Sequence, residues 1–235
     1  SQQNLWKELR SQFLGELTYT QADGTVLAFG VTGDNCYLKG YEGELTTLDV
    51  PAEVEGHTVT EIAENCFSGN KTLKSVVLNE GLQRISDKAF SSCDMLENVT
   101  LPSTLEHIDE KAFDSCSRLR QITFPDSLRI LGYCSFWGAK SLESLVLPGT
   151  IDNIEYGVFM YGEKLAQIVV GEGIQSLSDN LFAYCPNVAC YYFPSSLTSG
   201  LDQKITKNAV IYAPEGSYAL SWAAENGYAC VACAS

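Results

Sequence analysis

Two histidines, 29 carboxylates and nine cysteines are the residues with which this chain could do chemistry. A nucleophile needs a base within hydrogen-bond reach, and neither His57 nor His107 has a Ser/His/Asp or Cys/His grouping that the sequence supports. The carboxylates, Asp87, Asp109 and Glu110 among them, are scattered and show no spacing that would set an acid opposite a base. No GxxxxGK[ST], HExxH or GxGxxG motif occurs, and Gly171-Glu172-Gly173 reads as a turn after a strand. Cys230 and Cys233 form a single C-x-x-C; a structural metal site usually takes four ligands, so the pair reads as free or packed thiols. The sequence therefore predicts no catalytic residue, no cofactor and no metal.

The other cysteines make sense through a repeat. Phe67, Phe90, Phe113, Phe136, Phe159 and Phe182 stand 23 residues apart. Leu73, Leu96, Leu119, Leu142, Leu165 and Val188 keep the same step. Cys93, Cys116 and Cys185 each lie three residues after the Phe column, a slot for a small buried side chain, where Cys serves as a small hydrophobe. Cys93 and Cys116 are expected to be unpaired.

Each unit has two parts. In Leu96-Glu97-Asn98-Val99-Thr100-Leu101 the apolar residues alternate, the pattern of a short strand with one face inward. Pro51, Pro102, Pro125, Pro148 and Pro194 close such strands, because proline lacks the N–H a ladder needs. The chain then returns through residues such as Leu105, Ile108, Ala112 and Phe113, spaced for a helical or tight 3₁₀ turn. His107 and the scattered carboxylates fall on these returns and read as solvated. One such unit cannot bury its own apolar face, but stacked units bury one another's. The expected fold is an α/β solenoid of 23-residue repeats, with a parallel sheet on one face and the Phe column stacked inside.

The pattern L-x-x-V-x-L-P-x-x-L-x-x-I-x-x-x-A-F-x-x-C resembles the BspA-like, or Treponema-type, leucine-rich repeat family. DGTVLAFGVTGDNCYLKGYEG and IYAPEGSYALSWAAENG resemble that family's opening and ending. The resemblance implies a leucine-rich-repeat solenoid without catalytic activity, associated with adhesion and protein binding on or outside bacterial cells. The expected organisation is an N-terminal cap over 1–44, repeats over 45–214 and a helical cap over 215–235. The first unit carries extra residues around Glu53–Thr58, which predicts a protruding loop holding His57. Gly200 and Ile205 occupy the inward aliphatic and Phe slots of the last unit, as though the solenoid ends there. Tyr218, Ala219, Trp222 and Ala223 share one side of a capping helix, and Leu5, Trp6, Leu9 and Phe13 suggest another at the start, before small strands near Leu17–Thr20 and Thr25–Val31.

Charge narrows the partners. A net charge of −14 repels a phosphate backbone, so nucleic acid and anionic lipid are poor partners. No stretch reaches the roughly 18 apolar residues of a membrane span. The opening SQQNLWKELR lacks a signal-peptide pattern.

Two surfaces are candidates for binding. The outward strand residues, from Ser75 and Val77 through Asn98, Thr100, Gln121, Thr123, Ser144, Val146, Gln167 and Val169 to Cys190 and Tyr192, are uncharged in an acidic protein, although strands favour Thr and Val in any case. The later repeats add Tyr133, Trp137, Tyr156, Met160, Tyr161 and Tyr184, several in register. Stacking would gather them, either as a contact patch or as packing between units. Trp137, Tyr156, Tyr161 and Tyr184, with Gln121, Gln167 and Tyr192 on the strand face, are the candidate partner-binding residues. A protein ligand is the first expectation, a glycan the second, and a structural spacer the third.

Overall fold

The computed structural model describes residues 15–201 and 205–234. The helix expected around Leu5–Phe13 lies outside them. An antiparallel meander opens the described chain: β1 (Gly15–Thr20), β2 (Val26–Thr32) and β3 (Asn35–Glu42). The coils of the solenoid follow, each crossing two faces.

The first face carries the strands that the alternating pattern predicts. β4 (Thr47–Val50), β7 (Ser75–Leu78) and β9 (Asn98–Thr100) pair in parallel. One bridge, Asn98 to Gln121, continues the row. Beyond it β12 (Ser144–Leu147), β14 (Gln167–Val170), β15 (Cys190–Tyr192), β16 (Val210–Pro214) and β17 (Ala229–Cys233) form a five-stranded parallel sheet. The row therefore runs past Gly200 and Ile205, and the solenoid does not end there. Leu201 is fully buried beside Gly200 and keeps the core continuous. The helix α1 (Tyr218–Glu225) crosses between β16 and β17, capped by Ser217 and burying Ala219 and Ala223.

A second face has no signature in the sequence. β6 (His57–Ile62), β8 (Arg84–Ile85), β10 (His107–Ile108), β11 (Ile130–Leu131) and β13 (Asn153–Ile154) pair in parallel and join the meander through β3. Four of these strands have two residues, too few for any periodicity to register. The extra residues of the first unit form a hairpin, not a loose loop. β5 (Glu53–Val54) pairs with β6 through Glu55 and Gly56, both at positive φ, the backbone of a tight type I′ turn.

The returns have the expected tight i→i−3 bonds, such as Ala89 N–H to Ser86 O and Ser91 N–H to Lys88 O. These alternate with bonds to the next coil: Lys88 to Glu110 O, Phe90 to Ala112 O and Ser92 to Asp114 O. No helix can run through that alternation, because two residues per coil take left-handed backbone. They are Lys88 and Ser92, Lys111 and Ser115, Cys134 and Gly138, Gly157 and Tyr161, then Asn180 and Tyr184.

The Phe column is the spine of the core. Rings of Phe67, Phe90, Phe113 and Phe136 stack at 5.1 Å between centroids, and all four are buried. Tyr41 heads the stack. Hydroxyls tie the coils together at the corner after each proline. Thr104 donates to Leu82 O, Ser127 to Leu105 O, Thr150 to Leu128 O and Ser196 to Ile174 O.

Candidate functional site

The aromatic side chains of the later coils meet as the register predicts. Tyr161 stacks on Tyr184 at 4.7 Å with 10° between ring planes, and the Trp137 ring meets Tyr161 edge-on at 5.2 Å. Tyr133 stacks on Tyr156 at 5.6 Å, with the Lys111 ammonium 5.4 Å from the Tyr133 centroid. All five rings remain exposed, Tyr184 most, at 55%. The rings pack between coils and still present area to solvent. Met160 does not join them; it is buried.

The backbone under this ridge is unusual. Tyr161 has φ 62° and Tyr184 φ 59°, the left-handed region in which Cβ crowds the following carbonyl. The same column holds Gly69, Ser92, Ser115 and Gly138, of which the glycines are the type that region favours. A cleft of about 390 Å³ opens beside Trp137 and Tyr161, with Ser115, Ser117, Asp94 and Lys140 on its walls. Asp94 is ion-paired to Lys71 at 2.6 Å and Lys140 to Glu163 at 2.8 Å.

The strand face is uncharged from Ser75 onward; β4, ahead of it, adds the exposed Asp49 beside Val77. Gln121 and Gln167 are exposed, and Tyr192 is half-buried. Its second outward column continues further than the sequence reading took it: Val146, Val169, Tyr192, Tyr212 and Val231 lie side by side on neighbouring strands. Tyr192 and Tyr212 stack at 4.7 Å, while Val146 and Val231 are exposed. Tyr212 and Val231 were hidden because residues 215–226 read as a terminal cap and β17 was not foreseen.

The thiols are structural. The Sγ atoms of Cys93, Cys116 and Cys185 each lie 3.2 Å from a carbonyl of the preceding coil, Phe67, Phe90 and Phe159 in turn. Burial pushes the Cys93 thiol up to about 12 and Cys185 to about 11. All nine cysteines are free. Cys230 and Cys233 share the extended β17, where three steps of about 3.3 Å set their Cα atoms beyond disulfide reach. Among the described residues no three His, Cys, Asp or Glu side chains gather as metal ligands.

The histidine on the return is not solvated. His107 is 4% exposed, because it sits in β10 between Arg84 and Ile130 of the neighbouring strands. Burial, with the Arg84 charge beside it, holds its pKa below the usual value. Arg84 lies 2.6 Å from the Asp109 carboxylate, and Ser86 Oγ donates to Glu61 in the same layer. His57 keeps a bond between Nδ1 and Gly33 O, 3.0 Å long. These groups hold coils together.

The repeat, the continuous parallel strands and the stacked Phe column agree with one known family. Residues 40–129 and 83–208 match the family described as the BspA type leucine rich repeat region, in six copies. The chain belongs to the BspA-type leucine-rich repeat family. Among solved structures of this type, a leucine-rich repeat protein of Treponema pallidum superposes with a TM-score of 0.67 at 25% identity, over 95% of this chain and 98% of that one. A leucine-rich repeat protein of Bacteroides ovatus gives 0.65 at 16% identity, over 81% and 54%. A leucine rich cell surface protein of Faecalibacterium prausnitzii gives 0.53 at 22%, over 84% and 45%. The chain thus spans nearly all of the first and about half of the other two, and the latter likenesses speak for the fold alone. Comparison with curated proteins finds no match. BspA-type repeats are commonly binding or adhesion modules. No helix among the described residues is long and apolar enough to cross a membrane.

Proposed function

We propose that this chain is a non-catalytic recognition module that binds a protein on a host or bacterial surface, at the cell surface or outside the cell. The contact ridge is Trp137, Tyr156, Tyr161 and Tyr184. The observation that carries this reading is the Tyr161–Tyr184 stack, two exposed rings held on left-handed backbone. A left-handed column that elsewhere takes glycine or serine keeps bulky tyrosines here at a backbone cost of about 1–2 kcal/mol each, which points to use of the rings. Aromatic side chains supply large contact area with few rotatable bonds. The acidic surround favours a neutral or basic partner and disfavours nucleic acid.

The test is capture from host and bacterial surface extracts by the wild-type chain and a Trp137→Ala, Tyr161→Ala double variant. The expected result is lost capture by a variant that still unfolds cooperatively, its melting temperature lowered modestly by the lost ring contacts. Unchanged capture would transfer the role to the strand face, where Gln121, Gln167 and Tyr192 are the next residues to alter. A second reading, a carbohydrate-binding module, draws on the cleft beside Trp137 and Tyr161 with its hydroxyl and charged walls. Glycan arrays with the same variant separate the two. A structural spacer would capture nothing in either assay.

A further inference from the structure

The second face has a seam after β13. In four successive coils the N–H at one position reaches the coil before: Gln83 to Thr60 O, Glu106 to Gln83 O, Arg129 to Glu106 O and Asp152 to Arg129 O. The next member, Gln175, makes no such bond to Asp152 O, although Thr198 N–H then reaches Gln175 O at 2.8 Å. Three residues on, the N–H groups of Ser86, Asp109, Gly132 and Glu155 all bond back to the preceding coil, and that of Ser178 does not, although its Oγ donates to Glu155 O at 2.8 Å. Among the described residues the sheet stops at β13, and pairing resumes only at the Ser176–Ser199 bridge.

The opening reaches the core. Phe159 and Phe182 are 6.2 Å apart, against 5.1 Å in the earlier stack. One end of the gap is pinched. Gly149 lies so close to the next coil that a Cβ there would be 1.7 Å from Glu172 O, while β12 and β14 remain fully paired. Two coils closed on one side and parted on the other enclose a wedge of about 680 Å³.

We propose that this wedge binds a short neutral oligosaccharide. Its volume lies within the range of about 300–1,000 Å³ that small-ligand sites occupy. Its walls carry Arg129, Asp152, Asn153, Gln175 and Ser176, and its floor is aliphatic at Ile154 and Leu177. One cation, one anion, two amides and a hydroxyl offer donors and acceptors side by side, the complement of adjacent sugar hydroxyls. The released ladder positions, the Gln175 and Ser178 N–H groups and the Asp152 and Ile154 carbonyls, add more of both. An added peptide strand is the weaker occupant, since β13 offers an edge of only two residues. The site is separate from the Trp137–Tyr161–Tyr184 ridge and does not rest on the function assigned to it.

The experiment is saturation-transfer NMR and calorimetry on the whole chain with maltose, cellobiose and N,N′-diacetylchitobiose. At least one is expected to bind, with affinity falling about tenfold in an Asn153→Ala, Gln175→Ala double variant, the size of effect two lost neutral hydrogen bonds give. The melting curve should not move, and Trp137→Ala should bind as the wild type does. The proposal is overturned if none of the three binds at tens of millimolar, if binding survives the double variant, or if Trp137→Ala abolishes it. Binding of an extended peptide at the wedge in place of any sugar would overturn it equally.

Discussion

The Arg84 guanidinium lies 2.6 Å from the Asp109 carboxylate, and both side chains are almost wholly out of water. Such a pair holds two coils in register, yet desolvation opposes the charge it needs. Burial pushes Asp109 up to about 7 from its ordinary 3.8; Asp87 and Glu61 push the same way, and Arg84 opposes them.

This sets a pH dependence with a definite sign. Below 3.8 Asp109 carries its proton in both states. Between 3.8 and about 7 the folded chain holds a proton that the unfolded chain has released, so stability declines as pH rises through that window. Asp87, also raised by burial, adds to the decline. His107 has the opposite sign, because its lowered pKa favours the fold as the imidazole loses its proton. Asp109→Asn, which keeps the neutral form that burial favours, should be close to wild type at pH 5, gain on it as pH rises through about 7, and show a flatter profile. Urea melts at pH 5, 6, 7 and 8 measure this; parallel profiles for the two proteins would reject it.

Phe113→Ala should lower stability by about 3–5 kcal/mol, the usual loss for a buried ring. Phe113 has no exposed surface and is stacked on both sides, by Phe90 and by Phe136. Denaturant melts check it, and a loss below about 1 kcal/mol would be incompatible with a ring inside the stack.

Alkylation should divide the thiols by place. Cys233 is exposed on β17 and should react in the native chain. Cys93, Cys116 and Cys185 are buried, with Sγ close to backbone carbonyls, and should react only after denaturation. Mass spectrometry of unreduced protein should find neither a Cys93–Cys116 nor a Cys230–Cys233 bond. Either crosslink would contradict the geometry of these coils.

What the sequence made legible is what repeats with chemistry attached. The Phe and Leu columns, the alternating strands and their closing prolines fix the stacking and the 23-residue step, and with it the register that brings Tyr161 against Tyr184. The second ladder was not legible, because its strands are two residues long. The left-handed positions were not either, since Lys, Ser, Cys, Asn and Tyr fill most of them where glycine would have marked them. His107 and Asp109 looked solvated because polar and charged residues on a return usually are; only the ladder turns them inward. The seam depends on how closely Gly149 approaches Glu172, a backbone distance with no pattern of its own.

Tyr161→Gly offers the sharpest test of why the ridge exists. Glycine relieves the strain of φ 62°, worth about 1–2 kcal/mol, and removes one ring from the contacts with Trp137 and Tyr184, worth about 0.5–1.5 kcal/mol each beyond burial. The two effects nearly cancel, so the melting temperature should change little. If the rings served only to pack coils together, stability would be their purpose and the variant should be clearly destabilised, by more than about 2 kcal/mol. If they serve recognition, stability stays near wild type while capture of the surface partner falls. Tyr184→Gly, at the same column and φ 59°, should behave alike, and more strongly in capture because its ring is the most exposed of the five. Thermal melts and capture assays on the two variants, read together, distinguish the outcomes: a large stability loss with unchanged capture would assign the ridge to packing.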